Sequence, residues 1–280
     1  MGYDLSNVRY VSLIRLEGGE SILNIPYAEL TVDPDLIAGF VTAVIIFAKT
    51  PIRTIRKAAY DILIEVGETV LVLLVVDPVP NEEPYRKKLR AILKNVEEEH
   101  GESLRKFEGD VRKFRDFALN VVVEFPFSVP DMELVPIRKK NGVKIPYRVG
   151  IVDRKLETLE NYINGKRNIA EILGLIDLPD EEVIALISIL KKYKWIDFRR
   201  RLRPGDVLER RDCSDSLLMR LRQQYGDPVD NLLEAMDGES SIESVMARLE
   251  AAPFGFDRNA IWFLINKLVE GGCLCLKGTL

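Results

Sequence analysis

The sequence predicts an α+β protein in which an antiparallel sheet with helices precedes two related helical units. Strand-like runs in the first 76 residues come in pairs separated by glycine-containing turns, which is typical of antiparallel hairpins. A pattern of helices ending in a short strand then occurs around Gly165 and again around Gly238. Together these observations place two domains, or three small ones, in the 280 residues.

Two predicted hairpins provide four strands of the sheet. Residues 10–16 and 21–28 form the first hairpin, and residues 58–65 and 69–76 form the second. The continuously apolar run 70–76 suits a central strand. Apolar residues at helical spacing then predict a helix with one face formed by Tyr85, Leu89, Ile92 and Val96. We expect Gly101 to interrupt this helix and Asp110 to cap the next one.

A strongly apolar helix is predicted between the two hairpins. Asp33 provides its N-cap, and Pro34 occupies the first helical position. Residues 36–48 are apolar almost all round, whereas a helix that covers one face of a sheet needs a single apolar stripe. We therefore expect its second face to be covered, either by later helices of this chain or by a partner. The candidate interface residues are Ile37, Phe40, Val41, Val44 and Ile45.

A proline-rich linker separates the sheet domain from the helical units. We place the sheet domain at residues 1–128 and the linker at 129–152. Asn141-Gly142 lies between Ile137 and the run 143–145, which predicts a small hairpin within the linker.

The remainder of the chain predicts two winged helices. Residues 162–198 are typical of helix, turn, helix, turn and longer helix, followed by a β-prone run that begins at Trp195. Pro204 and Gly205 suit the centre of a type II turn, so the chain is expected to return along 207–208 as a hairpin. Ile169 recurs as Ile242, and the closing strand also recurs. The predicted winged helices occupy 153–211 and 212–280.

Composition favours a soluble cytoplasmic protein. Hydrophobic residues make up 47% and charged residues 30%, and the formal net charge of −4 gives no global attraction for nucleic acid. The 3 cysteines are an odd number without a disulfide framework, which fits a reducing compartment. The start lacks signal-peptide features, and the apolar run 36–48 is shorter than the ~20 residues that cross a bilayer, so no membrane insertion is expected.

Catalytic signatures are weak, and we expect no catalytic residue, cofactor or metal site. His100 is the single histidine and has no evident partner for acid–base or nucleophilic chemistry. The segment after Asn164 lacks the upstream glycine of a phosphate-binding loop. Cys273 and Cys275 have no further cysteine or histidine nearby that would complete a zinc site, so small core residues are the better interpretation.

A basic run on the predicted hairpin is the candidate contact for nucleic acid. Its residues are Arg199, Arg200, Arg201 and Arg203. The third helix of the first unit opens with Asp180-Glu181-Glu182, which would repel phosphates in a DNA groove. Asp257 opens the corresponding helix of the second unit, with Arg258 as its compensation. This charge pattern favours protein binding over DNA binding. We therefore do not expect DNA to be a partner.

The predicted order of elements resembles a longin domain followed by winged helices, as in the nitrogen permease regulator-like subunits of the complex that activates GTP hydrolysis by Rag-type GTPases. The segment that carries the resemblance is 162–172, continuing to Leu190 and the strand after Trp195. In that family an arginine between two longin strands supplies a catalytic finger. The matching turn here, 65–69, contains no arginine, and Arg53 and Arg56 precede the earlier strand.

The resemblance, together with the missing arginine, implies a non-enzymatic scaffold or regulatory subunit that acts on a small Ras-like GTPase, and it leaves GTPase-activating activity open. Its partners would be that GTPase, a second longin protein, or a second copy of this chain in a homodimer. The alternative hypothesis is a winged-helix DNA-binding transcription regulator whose N-terminal domain dimerises or senses a ligand.

Overall fold

The chain forms two compact units, Met1–Arg200 and Arg201–Leu280. A computed structural model describes residues 3–28, 37, 39–41, 43–44, 52–252 and 257–277. The fold class is α+β, as predicted, with a five-stranded antiparallel sheet in the first unit. Within the described ranges, no helix is both long and apolar enough to span a membrane.

The sheet of the first unit has the strand order β2-β1-β5-β4-β3. Its strands are β1 (Val8–Arg15), β2 (Ser21–Pro26), β3 (Thr54–Arg56), β4 (Asp61–Val66) and β5 (Val70–Val76). Both predicted hairpins are confirmed, with Leu13 opposite Leu23 and Ile64 opposite Leu73. Strand β5 is central, and all of its side chains are buried. The short edge strand β3 was not predicted, because three residues carry too little alternation to be recognised.

Two helices and a 3-10 segment follow the sheet: α1 (Glu83–Arg105), the 3-10 segment Val111–Phe117, and α2 (Ala118–Glu124). The predicted face of α1 is buried, and the Asp110 carboxylate accepts a hydrogen bond from the Arg112 amide as a cap. The predicted interruption at Gly101 is wrong. Gly101 is buried within α1, and the buried Leu104 anchors the turn beyond it, so packing outweighs the cost of about 1 kcal/mol for a glycine in a helix.

The predicted apolar helix is described in part, at residues 37, 39–41 and 43–44, which are helical. Ile37 and Val41 are buried in a cluster with side chains from one face of the sheet. These partners are Tyr10, Ile14, Ile62, Ile64, Leu71, Leu73 and Val75. Asp33, Pro34 and Ile45 lie outside the described residues.

The first helical unit shares a hydrophobic core with the sheet. Its elements are β6 (Leu134–Arg138), α3 (Gly150–Tyr162), α4 (Ile169–Leu173), α5 (Asp180–Lys192) and β7 (Ile196–Arg200). Helix α2 packs on α5, so that residues such as Val121 and Leu186 belong to one buried cluster. One face of the sheet, α1, α2 and the first helical unit therefore share one apolar core in the part of the chain that the structure describes.

The second unit has a core of its own. Its elements are β8 (Leu208–Arg210), α6 (Asp215–Tyr225), α7 (Pro228–Ala235), α8 (Ile242–Glu250), α9 (Arg258–Glu270) and β9 (Leu274–Leu276). Cys213 and Cys273 form a disulfide, which contradicts the expectation of unpaired thiols. Pairing of β8 with β9 explains this, because the Arg211 amide donates to the Cys273 carbonyl at 2.9 Å and brings distant cysteines together.

Both predicted hairpins in the second half of the chain are wrong. The turn at Arg203–Asp206 forms, with the Asp206 amide donating to the Arg203 carbonyl at 2.9 Å. Its two arms, however, join different sheets, because β7 pairs with β6 and β8 pairs with β9. At Asn141-Gly142 the following Val143 amide donates to the Tyr193 carbonyl rather than to a local strand. Long-range pairing thus replaces both local hairpins.

The internal repeat is visible in matching backbone geometry. Gly165 and Gly238 have φ of 72° and 74°, in the left-handed region that favours glycine. The preceding Asn164 and Asp237 side chains each accept hydrogen bonds from the amides two and three residues later. The first helical unit and the second unit thus each consist of a strand, helices and a returning strand. Residues 201–211, predicted to belong to the first winged helix, are part of the second unit.

Candidate functional site

The candidate interface residues of the apolar helix do not form one surface. Ile37 and Val41 are buried by this chain's own sheet, so their burial requires no partner. Phe40 is 48% exposed, and Val44 is half-buried. The Lys57 ammonium lies 5.4 Å from the centre of the Phe40 ring. We therefore restrict the candidate interface to the face that carries Phe40 and Val44.

The turn 65–69 is held by carboxylates from the same unit. Glu65 is buried and pairs with Arg86 of α1 at 3.0 Å. The Glu97 carboxylate accepts hydrogen bonds from the amides of Glu68 and Thr69 at 2.6 and 2.9 Å. Arg105, at the end of α1, also contacts the turn and forms an exposed ion pair with Glu68 at 3.0 Å. Sequence reasoning missed this contact, because Arg105 lies 37 residues from its partner.

The basic run predicted on a hairpin is divided between two elements. Arg199 and Arg200 lie on β7, and Arg199 donates to the Gly165 carbonyl at 3.0 Å. Arg201 and Arg203 follow the strand in the second unit. The helices that would enter a DNA groove offer little positive charge. Helix α5 opens with three acidic residues, and Arg258 at the start of α9 is paired with Glu243 and Glu250.

A second basic surface, which the sequence did not single out, lies where β6 ends and the antiparallel β7 begins. We call it the 138–144 surface, and it adjoins the C-terminal end of α5. Two neighbouring cavities of about 720 and 700 Å³ open there and share Lys139 and Ile196 in their walls. Eight cationic side chains line the two cavities: Arg138, Lys139, Lys140, Lys144, Arg148, Lys191, Lys192 and Lys194.

Backbone hydrogen bonds fix the shape of this surface. The Lys139 amide donates to the Trp195 carbonyl at 2.8 Å, which continues the pairing of β6 with β7. The Trp195 indole N–H donates to the Val143 carbonyl at 2.8 Å. Gly142 lies against the indole ring, where a Cβ atom would come within 2.3 Å of it. The loop is thus held on Trp195, and only glycine fits at position 142.

Part of the positive charge is neutralised locally. Asp197 pairs with Lys139 and Lys191 at 2.8 and 2.6 Å, and these hydrogen bonds hold the pKa of its carboxyl below the usual value. Arg148 pairs with Asp153 and Glu160. Five further cations have no carboxylate within ion-pair distance among the described residues. They are Arg138, Lys140, Lys144, Lys192 and Lys194.

His100 and the cysteines, the remaining candidates from the sequence, lie in packed surroundings. His100 is half-buried, with its ring 5.3 Å from Phe114 and 5.7 Å from Phe117 between centroids. In the part of the chain that the structure describes, no group of three or more potential ligands is placed to hold a metal ion. Cys275 is half-buried beside Glu209, and Cys273 is in the disulfide.

No protein-family model matches this chain, and no curated protein matches it.

Proposed function

We propose that this chain is a non-enzymatic regulatory subunit that acts on a small Ras-like GTPase through protein contacts of its N-terminal, longin-like domain. The observation that carries the proposal is the exposed Phe40 on a helix whose opposite face packs on the sheet. Burial of a large apolar side chain contributes about 1.5–3 kcal/mol, so a partner surface would gain from covering it. The partner in contact with Phe40 is the GTPase, a second longin protein or a second copy of this chain.

The element order supports the longin resemblance. Two strands, helical residues, further strands and two helices follow one another in the first unit, with β3 as an addition. The first helical unit has three helices and the second unit has four, and a two-stranded antiparallel sheet closes each of them, which supports the resemblance to winged helices. The turn 65–69 has no arginine of its own, and its backbone is bonded to Glu97. We therefore propose binding without an arginine finger from this turn.

Affinity capture from the source cell, followed by identification of the captured proteins, tests the proposal. We expect wild-type protein to retain a Ras-like GTPase or a second longin protein, and Phe40→Asp to lose it. Phe263→Asp is the matched control, because Phe263 is 47% exposed and likewise has a lysine above its ring, Lys267, at 5.6 Å. Equal recovery with both variants, or capture of promoter DNA alone, would contradict the proposal.

Weak and unselective DNA binding is expected for the purified protein. The three acidic residues that open α5 and the formal net charge of −4 both oppose contact with phosphates. Titration into labelled duplexes at several salt concentrations should give dissociation constants no tighter than the non-specific range of about 10⁻⁴ to 10⁻⁶ M. Sequence-dependent binding that is tighter than this at physiological salt would favour the transcription-regulator hypothesis instead.

A further inference from the structure

We propose that the 138–144 surface binds a small ligand that carries a chain of phosphate groups, such as a nucleoside triphosphate or an inorganic polyphosphate. The five cations without an ion-pair partner among the described residues lie at this surface, at the end of β6, in the loop after it and at the C-terminal end of α5. The chain as a whole has a formal net charge of −4, so this local excess of positive charge differs in sign from the net charge of the protein. A phosphate chain supplies several negative charges and acceptor oxygens within a short span.

The internal repeat shows that the fold does not require this charge. Backbone hydrogen bonds place Lys139 and Trp195 opposite each other in the first unit, and Arg211 and Cys273 opposite each other in the second. In this alignment Asp212 corresponds to Lys140. Glu270 and Gly272, just before β9, correspond to Lys192 and Lys194, just before β7. At these three positions the second unit folds in the same way with acidic residues or glycine where the first has lysine, although Arg211 keeps a cation in place of Lys139.

The backbone conformation of Lys194 is an independent indication that its side chain has a role at this surface. Its φ is 59°, and it is the one non-glycine residue in the left-handed region within the described ranges. The corresponding Gly272 has φ of 77°, which is the choice that local sterics favour. A lysine at such a position costs free energy that glycine would not. The strain is therefore consistent with selection for the ammonium group at the edge of the cavity.

Stabilisation of the C-terminal end of α5 accounts for some of the cations at the 138–144 surface. Lysines in the last turn of a helix interact favourably with its negative dipole end, which accounts for Lys191 and Lys192. Lys192 also donates to the Tyr27 carbonyl at 2.8 Å. Neither explanation applies to Arg138 or Lys144, which are exposed and come from outside the helix. These two are the cations that a ligand would neutralise.

The dimensions favour a small ligand. A volume of about 720 Å³ for the first cavity lies in the range of about 300–1,000 Å³ that is common for small-molecule sites. Its wall combines the cations with the Trp195 ring and the aliphatic Ile145 and Leu190. The one carboxylate in that wall, Glu160, is already paired with Arg148 at 2.9 Å. Phosphates would contact the cations, while a nucleoside, where present, would contact the apolar wall.

Isothermal titration calorimetry of the full chain with ATP and with tripolyphosphate tests this proposal. The test variant is Arg138→Gln combined with Lys144→Gln, which removes two cations from the wall of the first cavity, and we expect it to bind about tenfold or more weakly, because charge-assisted hydrogen bonds are lost. Both side chains are exposed, so thermal unfolding should show a variant about as stable as wild type. Lys87→Gln with Lys113→Gln is the control, since both side chains are exposed on other elements of the same unit.

The pattern of binding distinguishes the ligand sources. ATP binding that is stronger than tripolyphosphate binding supports a nucleotide, and equal affinities support a site for phosphate chains alone. The proposal is overturned by absence of binding of either compound, or by equal affinity of the test variant and wild type. It is also overturned if single-stranded oligonucleotides or anionic vesicles bind while both small ligands do not.

Discussion

Replacement of Arg86 by methionine is expected to lower the free energy of unfolding of the first unit by about 3–5 kcal/mol. The Arg86 side chain is 9% exposed and its partner Glu65 7%. Its guanidinium donates to the carboxylates of Glu65 and Glu82 and to the carbonyl of Arg53, at 3.0, 2.8 and 2.9 Å. These bonds connect α1 to the β3 and β4 edge of the sheet. Methionine fills similar space but leaves the buried Glu65 charge with only the longer contact to the more exposed Arg90, at 3.7 Å.

Urea denaturation followed by circular dichroism measures this loss. Arg90→Met is the matched control, because Arg90 lies one turn later on α1, is 43% exposed and should cost less than about 1 kcal/mol. Removal of both charges, in Arg86→Met with Glu65→Met, should recover much of the stability because no buried ion remains unpaired. A single Arg86→Met variant as stable as wild type would refute the structural role of this network.

Replacement of Cys213 by serine is expected to destabilise the second unit by about 4 kcal/mol under oxidising conditions. The disulfide joins residues separated by 60 positions, and it connects the two ends of the helical segment between β8 and β9. Its cross-link restricts the unfolded chain, and the entropic contribution grows with the length of the closed loop. The second unit is small, so a single cross-link represents a large part of its stability.

Thermal unfolding of wild type and Cys213→Ser, with and without a reducing agent, tests this expectation. Under reducing conditions the two proteins should unfold at nearly the same temperature, because wild type then lacks the bond as well. Cys275→Ser is the control, since Cys275 is outside the disulfide and should leave the oxidised protein unchanged. An oxidised wild type no more stable than Cys213→Ser would show that the bond contributes nothing.

Local patterns predicted the first unit well. The Gly18-Gly19 and Gly67 turns, the apolar run of β5 and the buried face of α1 all follow from short-range periodicity, and all agree with the structure. The repeat was also predictable, because Gly165 and Gly238 occupy turns that need positive φ. Such features depend on residues within a few positions of one another, which a single sequence records directly.

Pairings between distant residues were not predictable. Asn141-Gly142 and Pro204-Gly205 favour local hairpins, yet β6 pairs with β7 and β8 with β9 across intervening helices. The same long-range pairing brings Cys213 to Cys273 and gathers the cations of the 138–144 surface. Ile37 and Phe40 are equally apolar in the sequence, and only the position of the sheet distinguishes the buried residue from the exposed one.

Binding between purified components is the most direct test of the proposed function. The captured Ras-like GTPase or longin protein should be titrated against wild type, Phe40→Asp and Phe263→Asp by calorimetry, with circular dichroism to show that each variant is folded. We expect Phe40→Asp to weaken binding by about 2 kcal/mol or more, the scale of a buried hot-spot residue, and Phe263→Asp to bind as wild type. Unchanged affinity of a folded Phe40→Asp variant would contradict an interface on this helix face.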